Sequence, residues 1–204
     1  GPLIVEETTK LSTIMSAPAE GKIIFMGGAK ASTKVPVIRH LIGGAQYVVV
    51  GGVIANDILK ELGTDIGTSR ADENSAELLQ GLDLHDQRLV IPTDFIKEGD
   101  SFMDIGPDSS RAFIELMHGA KLIVWNGPFG KFEGPRFMQG TESIARAIAA
   151  SGAQTIIGGG DTIAAVNQLG LLSAYSFVST GGGAMLAFLS GQRLPGLEAL
   201  GYYL

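Results

Sequence analysis

A glycine-rich loop at residues 158–162 constrains the fold of this chain more than any other feature. The segment before it has the apolar pattern of a strand, and residues 163–169 after it have the apolar pattern of a helix. Glycine lets a ligand approach bare N–H groups, and the N-terminus of the next helix attracts phosphate. Asp161 lies beside that seat, where a carboxylate can hold a cation, or it serves only as a helix N-cap.

The same strand–glycine–helix arrangement recurs along the chain. Glycine-containing loops follow five predicted strand ends, at residues 27–30, 51–53, 125–130, 158–162 and 179–184. Strands that alternate with helices and are apolar on both faces indicate a parallel sheet covered by helices. We therefore predict a three-layer α/β/α, Rossmann-like domain with a mainly parallel sheet of about six strands. The loops should converge at the carboxyl edge of this sheet, on a nucleotide or another phosphate ligand.

Proline and capping signals predict where several elements begin. Pro36 is expected to open a helix, Asp108 to cap a helix that runs to His118, and Thr141 to cap a helix over residues 142–151. Residues 92–107 are less periodic and predict irregular or antiparallel strand.

Length and composition exclude several classes of protein. A chain of 204 residues with 45% hydrophobic residues fits one large domain, or one domain with an appended segment. The formal charge of −6 offers no basic stripe for nucleic acid, and the absence of cysteine excludes disulfides, which suits a cytoplasmic protein. No apolar run reaches the ~18 residues that a membrane span needs.

Common catalytic motifs are also missing from the sequence. It contains neither the G-x-x-x-x-G-K-[ST] phosphate loop nor the G-x-G-x-x-G fingerprint, so a Rossmann oxidoreductase is a disfavoured hypothesis. His40, His85 and His118 are isolated and lack the spacing of metal ligands. No serine lies in a G-x-S-x-G elbow, which removes the commonest hydrolase interpretation.

Five motifs, in a fixed order, resemble those of a known family. They are GGAKASTK at residues 27–34, DIGP at 104–107, VWNGPFGKFE at 124–133, GGGDT at 158–162 and STGGGA at 179–184. The series resembles that of phosphoglycerate kinases, and specifically of their C-terminal, nucleotide-binding domain. The tail at residues 194–200 fits as well, so the resemblance covers essentially the whole chain.

The resemblance implies a domain organisation and an activity. Residues 1–17 resemble the helix that joins the two domains of that family, and residues 18–204 resemble the nucleotide-binding domain; the N-terminal domain that binds 3-phosphoglycerate has no counterpart here. The family transfers a phosphoryl group reversibly between 1,3-bisphosphoglycerate and ADP in glycolysis, giving 3-phosphoglycerate and ATP. This chain alone is expected to bind ADP or ATP with Mg²⁺, as a monomer with little or no turnover. The alternative is a free-standing nucleotide-binding or regulatory module without kinase activity.

Individual residues receive roles from the resemblance. Lys30, Gly160 and Gly183 are implied in phosphoryl transfer, and Asp161 in coordinating Mg²⁺. Nucleotide contacts are implied for a larger set, which comprises Gly28, Ala29, Lys34, Asn126, Pro128, Gly130, Glu133, Gly159, Asp161, Thr162, Gly181 and Gly182.

Adenine is expected in an apolar slot near Gly28, Ala29, Gly51 and Met103, with Glu133 accepting the ribose hydroxyls.

The chain departs from the family pattern at three positions. Thr33 stands where aspartate is common, Val53 replaces the third glycine of a loop, and Lys131 replaces a common apolar residue. With these departures, the resemblance implies nucleotide binding but not a particular base selectivity or affinity. Trp125 lies on an apolar strand and is predicted to belong to the core, while residues 64–75 are predicted to form an ordered loop.

Overall fold

Helices and strands alternate along the chain in the computed structural model, which describes residues 1–181, 183–193, 195–201 and 203. The strands within this part are β1 Lys22–Met26, β2 Tyr47–Val50, β3 Leu89–Val90, β4 Phe95–Glu98, β5 Ser101–Ile105, β6 Leu122–Asn126, β7 Gln154–Gly158 and β8 Phe177–Ser179. The α-helices are α1 Pro2–Ser16, α2 Ala31–Leu41, α3 Gly52–Glu61, α4 Ser75–Leu78, α5 Pro107–Glu115, α6 Gln139–Ala150, α7 Gly160–Gln168, α8 Gly183–Leu189 and α9 Pro195–Ala199. Short 3₁₀ turns lie at Ile42–Gly44, Pro135–Phe137 and Leu172–Ala174.

Six strands form one parallel sheet in the order β3-β2-β1-β6-β7-β8. The strand ends lie in one row across it, because Val50 pairs with Met26, Met26 with Asn126, Asn126 with Gly158, and Gly158 with Ser179. Each of these five residues lies directly before, or at the start of, one of the five glycine loops. The predicted α/β fold is confirmed, and so is the convergence of the loops on one edge.

Each face of the sheet carries its own apolar core, because successive strand residues point to opposite faces. Ile24 and Val124 belong to the core beneath α1, α2, α3 and α8. Phe25, Ile123 and Trp125 belong to the core beneath α5, α6 and α7. Trp125 is fully buried, as predicted, and its indole N–H donates to the carbonyl of Gly127 at 2.7 Å.

The prediction that Pro36 opens a helix is wrong. Helix α2 begins at Ala31, and Pro36 lies inside it. The helix starts early because Lys30 takes a left-handed backbone conformation at the N-cap, which turns the chain sharply out of the glycine loop. Pro36 has no N–H for the carbonyl of Ser32, a local loss that the packing of Val35, Val37 and Ile38 into the core outweighs.

Two predicted helix caps are also wrong. Asp108 does not cap α5. The carboxylate of Asp94, directly before β4, accepts the N–H groups of Asp108 (2.9 Å) and Ser109 (2.7 Å) instead. Thr141 lies inside α6 and is fully buried. Its hydroxyl accepts the N–H of Phe129 at 3.2 Å, so it fastens a glycine loop to the helix.

Helix α7 begins at Gly160, three residues earlier than predicted, and its N-cap is Gly159 with φ of 93°. The interpretation of Asp161 as only an N-cap is therefore wrong. Asp161 lies in the first helical turn, where the helix dipole stabilises its negative charge. Its carboxylate remains open to solvent.

An antiparallel hairpin of β4 and β5 fills most of the region predicted as irregular or antiparallel strand. Phe95 and Phe102 stack across this hairpin with ring centroids 3.9 Å apart and planes within 3°. The hairpin stands outside the main sheet and forms a wall next to the glycine loops.

The N-terminal segment forms the helix α1, which lies within the residues 1–17 that resemble the joining helix of the family. Leu11 and Ile14 bury one side of it against the sheet, while Leu3 and Val5 are 81% and 62% exposed. Lys22 donates from its ammonium to the carbonyl of Ile14 at 2.5 Å, near the end of the helix. Within the described residues, no helix has the length and apolar character to cross a membrane.

Candidate functional site

Three glycine loops, after β1, β2 and β6, touch one another through their backbones. The N–H of Gly28 donates to the carbonyl of Pro128 at 2.8 Å. Gly127 and Gly52 have φ of 98° and 61°, and a side chain on either would overlap the backbone of Gly27 or Gly28. Glycine is required at both positions, and the contact locks the three loops together at the sheet edge.

Two adjoining cavities open at this edge. The hairpin cavity, about 390 Å³, lies between the locked loops and the β4–β5 hairpin, with Phe95 and Phe102 in its wall. The helix cavity, about 400 Å³, lies between α2, α7 and α8 and includes Lys30 and Lys34. Asp161 lines both cavities, so one elongated ligand can occupy the two together.

Most residues with predicted nucleotide or transfer roles line these cavities. Those in the hairpin cavity are Gly28, Ala29, Met103, Pro128, Gly130, Glu133 and Asp161. Those in the helix cavity are Ala29, Lys30, Lys34, Asn126, Gly159, Gly160, Asp161, Thr162 and Gly183.

Two predicted residues, Gly51 and Gly181, are placed differently. Gly51 does not border the hairpin cavity, because it is buried against the ring of Phe129, 2.6 Å from where a Cβ would lie. Gly181 lines neither cavity and lies beside the carboxylate of Glu7, which also accepts a hydrogen bond from the hydroxyl of Ser179. Gly182 lies outside the described residues.

One wall of the hairpin cavity is formed by residues that were not predicted to belong to the site. Thr68 and Arg70 reach it from the loop after α3, and Phe95 and Phe102 reach it from the hairpin. The alternating pattern of residues 95–98 and 101–105 around Gly99 was a signal for the hairpin. No local signal in the sequence places Arg70 against it.

Lys30 has a strained backbone. Its φ of 65° and ψ of 60° are left-handed, and it is the one residue other than glycine with positive φ within the described part of the chain. This conformation costs a side-chain-bearing residue about 1–2 kcal/mol. It places Lys30 at the mouth of the helix cavity with its side chain exposed, and strain of this kind is concentrated at functional sites.

Lys34 extends from α2 into the locked loops. Its ammonium donates to the carbonyl of Gly27 at 2.7 Å, and it occupies space that a side chain on Gly28 or Gly127 would take. Burial lowers the pKa of Lys34 to about 8, with the carboxylate of Asp161 opposing that change and the charge of Lys30 adding to it. The site therefore holds excess positive charge that an anion would stabilise.

Helix α7 presents its N-terminus to the helix cavity. The first N–H groups of a helix have no partner within it and carry the positive end of the dipole. A side chain at Gly160 would meet no atom within 4 Å, so the backbone there is open to a ligand. An arrangement of this kind can accept a phosphate group.

Thr162 and Asn126 hold the site together from below. The buried hydroxyl of Thr162 accepts the N–H of Gly127 at 2.6 Å, which ties α7 to the loop after β6. The buried amide of Asn126 lies 3.9 Å from the sulfur of Met185 on α8.

Asp104, from the DIGP motif, supports the floor of the hairpin cavity. Its carboxyl accepts the N–H groups of Gly140 (2.8 Å) and Ile105 (2.9 Å), and burial raises its pKa to about 7. Side chains on Gly130 or Gly140 would overlap this carboxyl, so both glycines give it room.

The donor set suits a cation that shares its ligands with phosphate. No group of three or more histidine, aspartate or glutamate side chains within the described residues converges to hold a metal by itself. Asp161 offers one exposed carboxylate next to the phosphate seat. Magnesium typically binds one or two carboxylates together with substrate phosphates and water, so the residues present fit it.

The family model described as phosphoglycerate kinase matches residues 1–192. The chain belongs to the phosphoglycerate kinase family. Among its curated relatives, the phosphoglycerate kinases of Moorella thermoacetica and Legionella pneumophila are each 37% identical over 223 positions. These alignments cover 98% of this chain but 57% and 56% of the relatives, so the chain spans somewhat more than half their length.

Solved structures agree with this assignment to the phosphoglycerate kinase family. The phosphoglycerate kinase of Coxiella burnetii superposes with a TM-score of 0.88 at 36% identity, over 98% of this chain and 58% of that one. The enzyme of Pyrococcus horikoshii OT3 superposes with a TM-score of 0.83 at 29% identity, over 98% and 56%.

Proposed function

We propose that this chain is the nucleotide-binding domain of a phosphoglycerate kinase. It would take part in reversible phosphoryl transfer between 1,3-bisphosphoglycerate and ADP, giving 3-phosphoglycerate and ATP. The observation that carries the proposal is the pair of cavities joined at Asp161, one with an aromatic wall and one with two lysines and a helix N-terminus. An aromatic cavity beside an anion seat suits a base and ribose followed by phosphates.

The hairpin cavity is assigned to the nucleoside. Adenine would lie near Gly28, Ala29 and Met103, with Pro128 and Gly130 shaping the slot.

Glu133 is exposed at the rim of the same cavity and would accept the ribose hydroxyls.

The helix cavity is assigned to the phosphates. Asp161 would hold Mg²⁺, which neutralises phosphate oxygens when bound. Lys34 and the N–H groups at Gly159 and Gly160 would bind phosphate, and Thr162 would contribute mainly by holding its loop.

Phosphoryl transfer needs little from a protein beyond positioning and charge stabilisation. Lys30 is exposed at the mouth of the cavity, where its ammonium would neutralise the phosphoryl group in transfer. Gly160 and Gly183 begin α7 and α8, and their bare backbones leave room for that group. Gly181 and Gly182 remain predicted nucleotide contacts.

The phosphoglycerate substrate would be bound by the half of the family's chain that these residues do not span. Residues 1–17 would connect the two halves as the joining helix, and residues 18–204 would form the nucleotide-binding domain. We propose that the protein acts as a monomer in the cytoplasm. It would meet 3-phosphoglycerate or 1,3-bisphosphoglycerate only when the other half binds them.

Calorimetric titration of the chain with ADP, with and without Mg²⁺, tests the proposal. We expect saturable binding that Mg²⁺ strengthens and that Asp161→Ala weakens at least about tenfold, since it removes the one carboxylate shared by both cavities. Asp108→Ala is the matched control, because Asp108 is also an exposed carboxylate in the first turn of a helix but lines neither cavity. Equal affinities of the two variants, or no binding of ADP at all, would refute the assignment.

Turnover is tested by adding the complementary half of the Moorella thermoacetica relative. Kinase activity that appears only in the mixture, and that Lys30→Met removes, is the expected result. A mixture that binds ADP but never transfers phosphate would favour the free-standing binding module.

A further inference from the structure

The loop of residues 64–74 forms the wall of the hairpin cavity that Thr68 and Arg70 line. On one side it is fastened to β5, because the hydroxyl of Ser69 accepts the N–H of Phe102 at 2.7 Å. On the other side it is fastened to α3, because the amide of Asn56 donates to the carbonyl of Arg70 at 2.9 Å. The hydroxyl of Ser101 strengthens the attachment to β5, since it donates to the carbonyl of Thr68 at 3.0 Å.

The third attachment is a pair of acids, Asp57 on α3 and Asp72 at the end of the loop. Asp57 is fully buried, and one of its carboxyl oxygens accepts the N–H of Asp72 at 2.7 Å. The other oxygen of Asp57 and one oxygen of Asp72 are buried without a hydrogen-bond partner within the described residues. The side chain of Asp72 lies near enough to Asp57 to raise the pKa of its carboxyl through both a hydrogen bond and its charge.

Ionised carboxylates only accept hydrogen bonds, so two of them cannot bond to each other. Two neighbouring carboxylates with a buried oxygen left unpaired on each would lose hydration without compensation, and their like charges would repel. One proton between them removes both penalties, because the protonated carboxyl becomes a donor. A proton shared by the pair is the arrangement that satisfies both oxygens.

The surroundings favour the protonated state. Burial, the hydrogen bond with the carboxyl of Asp72 and the charge of Asp72 raise the pKa of Asp57 well above the usual range of aspartate. The N–H of Asp72 and the ammonium of Lys60 oppose this, and that ammonium donates to the carbonyl of Asp72 at 3.0 Å. The other titratable and charged groups on the elements around the pair are Lys34, Arg39 and His40 of α2, Glu61 of α3, Asp65, Arg70 and Glu73 of the loop, Glu77 of α4 and Asp104 of β5.

We propose that Asp57 and Asp72 share one proton, and that this acid pair is a positioning element that holds the 64–74 wall of the cavity against α3. Its consequence for ADP rests on the proposed function, whereas the shared proton does not. Neither acid lines the cavity, so the pair acts through Arg70 and Thr68, which do.

The pH dependence follows from proton linkage. The attached loop holds a proton that the detached loop releases at the ordinary pKa of aspartate, about 4. Attachment is therefore strongest below about pH 4 and weakens by about tenfold per pH unit as the pH rises toward the raised pKa. Above the raised pKa both acids are ionised even in the attached loop, and the loss levels off.

Amide hydrogen exchange on the ligand-free chain tests the pair directly. The variant Asp57→Asn replaces the shared proton with amide donors and keeps an oxygen for the N–H of Asp72. Between about pH 5 and pH 8 we expect protection of the amides of Asp72 and Phe102 to fall at least tenfold in the unmodified chain and to stay constant in Asp57→Asn. Glu73→Gln, an exposed carboxylate of the same loop, should behave as the unmodified chain does.

Protection that stays constant in the unmodified chain, or that falls equally in Asp57→Asn, would overturn the proposal. Asp57→Ala should lower protection at every pH, because it leaves the N–H of Asp72 without its acceptor.

ADP affinity provides the second readout. The ratio of the affinity of Asp57→Asn to that of the unmodified chain should rise with pH, since titration of ADP itself cancels in the ratio. A constant ratio would overturn the positioning role. If ADP binds neither protein at any pH, the proposed function fails and so does the positioning of a nucleotide, while hydrogen exchange still decides whether the proton is shared.

Discussion

Replacing Lys34 with methionine should stabilise the ligand-free fold at neutral pH and remove ADP binding. Methionine keeps the length of the side chain but carries no charge into the locked loops. Burial lowers the pKa of the ammonium from 10.5 to about 8, so the charge is unfavourable in the folded chain. That shift corresponds to about 3 kcal/mol at most, and partial exposure of the side chain reduces it to about 2 kcal/mol.

The lost hydrogen bond to Gly27 works in the opposite direction. Leaving that carbonyl without its donor costs about 1 kcal/mol, so the expected net gain at pH 7 is about 1 kcal/mol. The folded pKa lies below the unfolded one, so the penalty is complete below about pH 8 and declines to nothing near pH 10.5. At high pH only the lost hydrogen bond remains, and the methionine variant should become the less stable protein by about 1 kcal/mol.

Urea unfolding at about pH 7 and about pH 10 measures this crossover. Lys121→Met is the control, because Lys121 is an exposed lysine directly before β6. Its stability relative to the unmodified chain should not depend on pH in this way. The reasoning is refuted if Lys34→Met is less stable than the unmodified chain at both pH values, or if the two lysine variants respond to pH identically.

Two further substitutions test the geometry of the site. Gly127→Ala should destabilise the fold by about 3 kcal/mol or more, since its Cβ would overlap the carbonyl of Gly27. Gly152→Ala, which has positive φ but open space around it, should cost only about 1 kcal/mol in the same unfolding assay; equal costs would contradict the role of close packing. Lys30→Gly should leave the free energy of unfolding unchanged or raise it by up to about 1 kcal/mol, while ADP binding weakens. The control Lys97→Gly, in β4, should only destabilise the fold. A loss of stability in Lys30→Gly would argue against backbone strain at that residue.

The sheet and its loops were predictable because their signals are local. An apolar strand that is followed by glycine, such as the strand before Gly127, indicates both that the strand is buried and where the chain turns. A parallel sheet then places all such turns on one edge, so a pattern in one dimension predicts a site in three.

The boundaries and one wall of the site were not predictable, because they depend on contacts between distant parts of the chain. Pro36 carries a strong local signal for a helix start, but the turn at Lys30 and burial of the helix outweigh it. The cap of α5 comes from Asp94, 14 residues before the amide of Asp108 that it accepts. The attachment of the 64–74 loop depends on Asp57, 15 residues before its partner. A sequence pattern shows that such residues are polar, and only the fold shows which polar groups meet.

The ligand-free site is built from features that do not stabilise the fold. Lys30 has a strained backbone, Lys34 buries a charge, and the N-terminus of α7 presents N–H groups without partners inside the helix. These penalties share one remedy, since an anion in the helix cavity would pair with both ammonium groups and accept the free N–H groups. A chain selected for stability alone would have no reason to collect them at one edge of the sheet. Their coincidence around Asp161, rather than any single residue among them, is the strongest physical argument that this edge binds the phosphates of a nucleotide.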